Sequence, residues 1–116
     1  MISFLGFANY ISMYGGEQIE PKMEFMKQSL PNLMLPVLND DSYSTSHPIS
    51  TSATTPDEIR EIFDMITYQK GHCMVQMLHE YLGNDFQRGL QRYLTTYSYK
   101  NADQDDLWRE LRYEIM

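Results

Sequence analysis

A chain of 116 residues with a formal net charge of −7 and no basic run cannot neutralise a phosphate backbone, which excludes nucleic acid as a partner. Its 42% hydrophobic and 22% charged residues exclude a disordered polar tail and suffice for about one domain. The single cysteine, Cys73, excludes an internal disulfide; without a secretory leader or the ~20 apolar residues of a membrane span, the chain is expected to be soluble, untargeted and free of membrane contact.

Five helical segments are predicted. The first, "FLGFANYISMY", places Phe4, Phe7, Ala8 and Ile11 on one stripe and is expected to stop at Gly15-Gly16. After Pro21, "KMEFMKQSLPNLMLPVLNDD" sets Met23, Met26, Leu30, Leu33 and Val37 near one face, with Pro31 and Pro36 expected to kink or divide it. Residues 39–55 lose all apolar periodicity and are rich in Ser, Thr and Asp, which predicts a loop. At that length it is either functional or laid over a larger protein surface.

The loop ends in a capping box, with Thr55 at the N-cap, Pro56 at the first helical position and Glu58 at the third. The helix it opens is expected to bury Ile59, Ile62, Phe63 and Ile66. Beyond Gly71 the stripe resumes with Met74, Met77, Leu78 and Tyr81, and Gly83 closes it. A fourth helix carries Phe86, Leu90, Tyr93, Leu94 and Tyr97. The fifth, after Asp103, carries Leu107, Trp108, Leu111 and Ile115. No strand alternation persists, so the predicted class is all-α.

Candidate chemistry is sparse. His72 and His79 are seven residues apart, a spacing that serves zinc poorly compared with i and i+4. "HEYLG" begins like HExxH but ends in Gly83. Both histidines are therefore expected at the solvated surface, and Cys73 is expected to be a small buried hydrophobe. His47, held extended before Pro48, is expected to anchor the loop to backbone. Glu58, Glu61 and Asp64 fit capping and solvent-face roles. No serine sits in a nucleophile elbow, and no Gly-rich phosphate loop exists. Spacing alone makes Tyr68 a half-buried packing aromatic at a helix junction.

Taken together, "GFANYIS" (6–12), "EPKMEFM" (20–26), "SHPIS" (46–50), "TPDEIREIFDMITYQKG" (55–71) and "MLHEYLGNDFQRGLQRYLTTYSYKNADQDDLW" (77–108) occur in the order of a known family. The chain resembles the zinc-dependent aminopeptidases of the aminopeptidase N and puromycin-sensitive type. The resemblance implies the helical C-terminal half of a thermolysin-like α+β metallopeptidase catalytic domain, acting on peptide substrates. It also implies one zinc, held by HExxH and a glutamate of a downstream N-E-G-F-A stretch, and a separate glutamate that anchors the substrate amine. A tyrosine in I-x-Y-x-K-G donates a hydrogen bond to the oxyanion, and Tyr68 matches it. The role suits a phenol, which keeps its proton at neutral pH and can donate where negative charge develops.

The departures are equally specific. HExxH and the amine-anchoring motif are absent, Leu5 occupies the glutamate ligand's position and Phe4 that of the preceding Asn. The expected organisation is a non-matching N-terminus at 1–5, a partial catalytic domain at 6–111 and a C-terminal end at 112–116. Residues 1–5 fit either a truncated product, favoured by the abrupt loss of matching before Gly6, or a degenerate relative. A parent enzyme, plasma-membrane, extracellular or cytoplasmic, is expected to remove N-terminal residues, and this chain alone to be inactive. The competing readings are a non-catalytic helical module or pseudoenzyme pairing with missing segments or a homologue, which nine methionines and nine tyrosines would suit, and a plain helical domain.

Overall fold

A computed structural model describes residues 4–115, with side chains as far as Tyr113. The expectations placed on residues 1–3, the Ile115 side chain and Met116 lie outside the described residues. Among the described residues the secondary structure is entirely helical, as the sequence predicts, and the chain falls into two compact units, residues 1–75 and 76–116.

In the first unit, α1 (Phe4–Ile19) runs straight through Gly15 and Gly16 rather than stopping there. Two interior glycines cost a helix roughly 1 kcal/mol each, but tertiary contacts offset this. The Phe25 ring packs so closely on Gly16 that a Cβ there would lie 3.1 Å from it, and Glu17 Oε2 accepts from the Met26 amide at 2.6 Å. The buried side of α1 is also not the anticipated stripe. Gly6 and Tyr10 are buried while Phe4, Ala8 and Ile11 are exposed, because the helix approaches its neighbour through a glycine, which apolar periodicity does not register.

A 3₁₀ turn at Pro21–Met23 leads into α2 (Phe25–Ser29), a π-helical turn (Leu30–Met34) and α3 (Leu35–Asp41). Pro31 and Pro36 do not divide the run. The Leu35 amide bonds back to the Leu30 carbonyl, a five-residue reach that widens the helix where prolines would otherwise clash with the preceding turn. Helix α3 also absorbs residues 39–41 of the anticipated loop.

The capping box forms as predicted. Thr55 Oγ1 accepts from the Glu58 amide at 3.2 Å, and Glu58 Oε2 accepts from the Thr55 amide at 3.1 Å. Removing the hydroxyl in Thr55→Ala should lower stability by about 1 kcal/mol, read as a shifted urea midpoint with an unchanged slope. The helix it starts, α4 (Pro56–Glu61), is short, and a turn comes after it. One helical phase therefore cannot carry from residue 59 to 66: Ile66 is buried, whereas Ile59 and Phe63 are exposed.

A second π-helical turn, Ile66–Lys70, precedes α5 (Gly71–Leu82). Such a turn inserts one residue and rotates the downstream helix by about 100°. The rotation overturns the Met74–Met77–Tyr81 stripe: those three are exposed, and Gly71, His72, Cys73 and Val75 are buried. The core of this unit forms where Val37, Ile66 and Cys73 meet, with Met34 and Ile49 packed against them.

In the second unit Gly83, at φ +57°, ends α5, its amide bonding to the His79 carbonyl at 2.7 Å as the sequence anticipates. Helices α6 (Asn84–Thr96) and α7 (Gln104–Ile115) pack through Phe86, Tyr93, Leu107 and Leu111, and Gly89 lets them approach closely. Leu94, placed on the apolar face by sequence, is exposed. Asp103 and Asp106 exchange side-chain-to-amide bonds at 3.0 Å and so cap α7.

Candidate active-site turn around Tyr68

Two glycines from separate motifs, Gly6 of "GFA" and Gly71 of "YQKG", are in backbone contact. A Cβ on Gly6 would lie 2.6 Å from the Gly71 carbonyl carbon and 2.7 Å from its Cα. The first turn of α1, which carries Leu5, is thereby fixed beside the end of the π-helical turn, which carries Tyr68. Asn9 Nδ2 reinforces the junction by donating to the Tyr68 carbonyl at 3.4 Å.

Tyr68 is 36% exposed, and its ring lies 6.4 Å from that of Phe63. Its backbone is held by Asp64, whose carbonyl accepts from the Tyr68 amide at 3.1 Å while its Oδ1 accepts from the Thr67 amide at 3.0 Å. A partly exposed tyrosine on a turn held by these bonds can donate its phenolic O–H to a group arriving from outside. π-Helical turns of this kind occur often at functional sites.

The other end of the turn is held by charge. Lys70 Nζ lies 2.7 Å from Asp41 Oδ2, and Asp41 Oδ1 accepts from Ser46 Oγ at 2.7 Å. The Lys70 ammonium, then the Ser46 hydroxyl, hold the Asp41 carboxyl below the usual range. Next to Ser46, His47 Nδ1 lies 2.9 Å from the Pro48 carbonyl and Nε2 lies 2.8 Å from Asp64 Oδ2. The backbone anchor expected for His47 is present; its carboxylate partner lies seventeen positions along the chain, beyond the rest of the loop, where no local signal points to it. The Pro48 carbonyl, with Asp64 also contributing, raises the His47 pKa against the opposing effect of burial. Burial acts to raise the Asp64 pKa, but the Thr67 amide and His47 outweigh it and leave the carboxyl lowered.

The remaining candidates separate. His72 is not at the surface: it is fully buried, with Nε2 2.9 Å from Ser29 Oγ and its ring edge-on to Tyr10 at 5.4 Å. The π-turn rotation that buries Gly71 and Cys73 carries His72 inside with them. His79 is partly covered and stacks on Phe86 at 4.5 Å, and burial lowers its pKa. Cys73 is buried and its thiol pKa is raised by burial, which suits a packing residue and not a nucleophile.

The residues present do not fit a zinc ion. Leu5, at the position the resemblance gives to a ligand, has no lone pair to offer, and among the described residues no group of three or more His, Cys, Asp or Glu could hold a metal. Among those residues, too, no helix is long and apolar enough to cross a membrane.

The model of the Peptidase family M1 domain matches residues 5–115. The chain belongs to peptidase family M1. It is 41% identical to aminopeptidase A of Gloydius brevicauda and to glutamyl aminopeptidase of Homo sapiens, over 107 residues and 91% of this chain in each case. It is 40% identical to aminopeptidase N of Mus musculus over 111 residues, 92% of this chain. The chain spans only 11% of the length of the first two relatives and 12% of the third. Within this M1 segment Tyr68 and the Gly6–Gly71 contact fall in the pieces that carried the resemblance.

Proposed function

We propose that this chain contributes the helical part of the catalytic domain of a zinc metallo-aminopeptidase, with residues 6–111 as the contributing segment and peptides as substrates. In this reading Tyr68 is the oxyanion donor. As a nucleophile adds to the first peptide carbonyl, negative charge gathers on the carbonyl oxygen. A phenolic O–H fixed about 2.7–3.1 Å from that oxygen stabilises it more than the ground-state carbonyl, and so accelerates the step. The observation that carries the reading is the exposed Tyr68 on a turn anchored at both ends, set by two touching glycines beside the Leu5 turn.

With leucine at the ligand position, the chain by itself is expected neither to retain stoichiometric zinc nor to hydrolyse aminoacyl reporters. Metal analysis and reporter assays on purified protein check this; one tight zinc per chain, or turnover, would overturn it. A second reading, a non-catalytic module pairing with a homologue, draws on the exposed Met74, Met77 and Tyr81 of α5. A monodisperse monomer in the same preparation counts against it.

A further inference from the structure

The Tyr68 turn is tied at both ends to two consecutive residues of the loop. Ser46 bonds Asp41, which binds Lys70 at the C-terminal end of the turn; His47 bonds Asp64, which holds the Thr67 and Tyr68 amides at its N-terminal end. Asp64 thus performs three tasks with one residue, since its carbonyl and both carboxylate oxygens are engaged. We propose that His47 and Asp64 are positioning residues that clamp the Tyr68 turn, so that the loop sets where the phenol points. The inference deepens the oxyanion reading and rests on it for its catalytic meaning, but the clamp itself is a structural claim that stands or falls separately.

The donor inventory gives the clamp a pH dependence. Both His47 contacts are to oxygen acceptors, the Pro48 carbonyl and the Asp64 carboxylate, so both are satisfied only when both ring nitrogens carry protons. A neutral ring has one proton and must surrender one contact. The charged and titratable groups facing His47 are Asp64 from the turn, Lys70 from the π-helical turn and Asp41 from the end of α3, with Asp40 and Tyr43 lining the same cavity of about 290 Å³. Because the folded His47 pKa is raised, its contribution is complete below the ordinary value of 6.5 and is lost as pH rises through the higher folded value. Because the Asp64 pKa is lowered, its contribution is complete above the ordinary 3.8 and is lost as pH falls through the lower folded value. The clamp is closed between those limits.

The test observes the Tyr68 ring by ¹³C NMR in the full chain labelled with ring-¹³C tyrosine, its signal assigned by its loss in Tyr68→Phe. The expected result is a Tyr68 shift with an inflection at the pH where the His47 ring proton itself titrates, absent in Asp64→Asn and in His47→Gln. A Tyr68 signal that stays flat through the His47 titration, or an inflection that survives His47→Gln, overturns the proposal. Should either variant fail to fold, the coincidence of the two titrations in the unaltered chain still decides. Kinetics separate this from the oxyanion reading. With residues 6–111 grafted into the matching segment of mouse aminopeptidase N, His47→Gln should lower kcat roughly tenfold with KM little changed. A coupled NMR titration with a Tyr68→Phe variant of undiminished kcat would keep the clamp and sink the oxyanion role. An uncoupled titration with a large Tyr68→Phe loss would do the reverse.

Discussion

Gly6→Ala is expected to destabilise the chain by about 3 kcal/mol, at the upper end of what overpacking a close contact costs. The added methyl would meet Gly71 carbonyl carbon, Cα and oxygen at 2.6, 2.7 and 3.0 Å, all backbone atoms that cannot swing aside as a side chain can. Relief requires α1 to move away from the start of α5, and that motion also strains the Asn9 bond to the Tyr68 carbonyl. The internal comparison is Gly15→Ala in the same helix, where a Cβ meets nothing within 4 Å. There the substitution removes chain entropy without a clash and should stabilise by roughly 0.5–1 kcal/mol. Urea unfolding monitored by far-ultraviolet circular dichroism measures both. Equal stabilities for the two variants would show that the Gly6–Gly71 contact does not fix the junction.

Close glycine contacts of this kind leave no periodic mark in the sequence, whereas local signals do. The capping box at Thr55, the Gly83 stop and the start of α7 after Asp103 are local signals, set by residues within a few positions of one another, and all were legible. The buried faces of α1 and α5 were not. Apolar periodicity assumes a constant 3.6-residue phase and a neighbour reached by large side chains. Here the π-helical turn at Ile66–Lys70 shifts the phase, and α1 meets its neighbour through Gly6. Ile59 and Phe63 are exposed against the apolar pattern for a related reason, since α4 ends at Glu61 and breaks the register.

The site divides along the same line. Tyr68 could be singled out only through the resemblance, because spacing made it an ordinary packing aromatic. His47 was legible as a loop anchor from the proline after it. Its pairing with Asp64, and the pairing of Lys70 with Asp41, depend on how a long loop returns to the helices. No sequence period records such a return. His72 is buried although a histidine on a helix reads as polar and solvated, because Ser29 and Tyr10 give it a polar and an aromatic partner inside.

Removing the Tyr68 hydroxyl has the largest expected functional effect. In the chimera carrying residues 6–111 within mouse aminopeptidase N, Tyr68→Phe should lower kcat by about 10²–10³, the cost of one oxyanion donor and equivalent to about 2.7–4 kcal/mol. KM should change little, because a neutral ground-state carbonyl gains less from the donor than the charged oxygen does. The fold should tolerate the change. The Tyr68 backbone, not its hydroxyl, makes the bonds to Asp64 and Asn9, and the ring with its contact to Phe63 is retained. Unaltered melting together with lost turnover would separate chemistry from packing.

The most direct measurement of the central claim is therefore kcat for that chimera with tyrosine and with phenylalanine at position 68, under saturating substrate and matched metal content. A loss of two to three orders of magnitude in kcat at near-constant KM is the expected result. Equal kcat values in two folded, metal-matched proteins would contradict it.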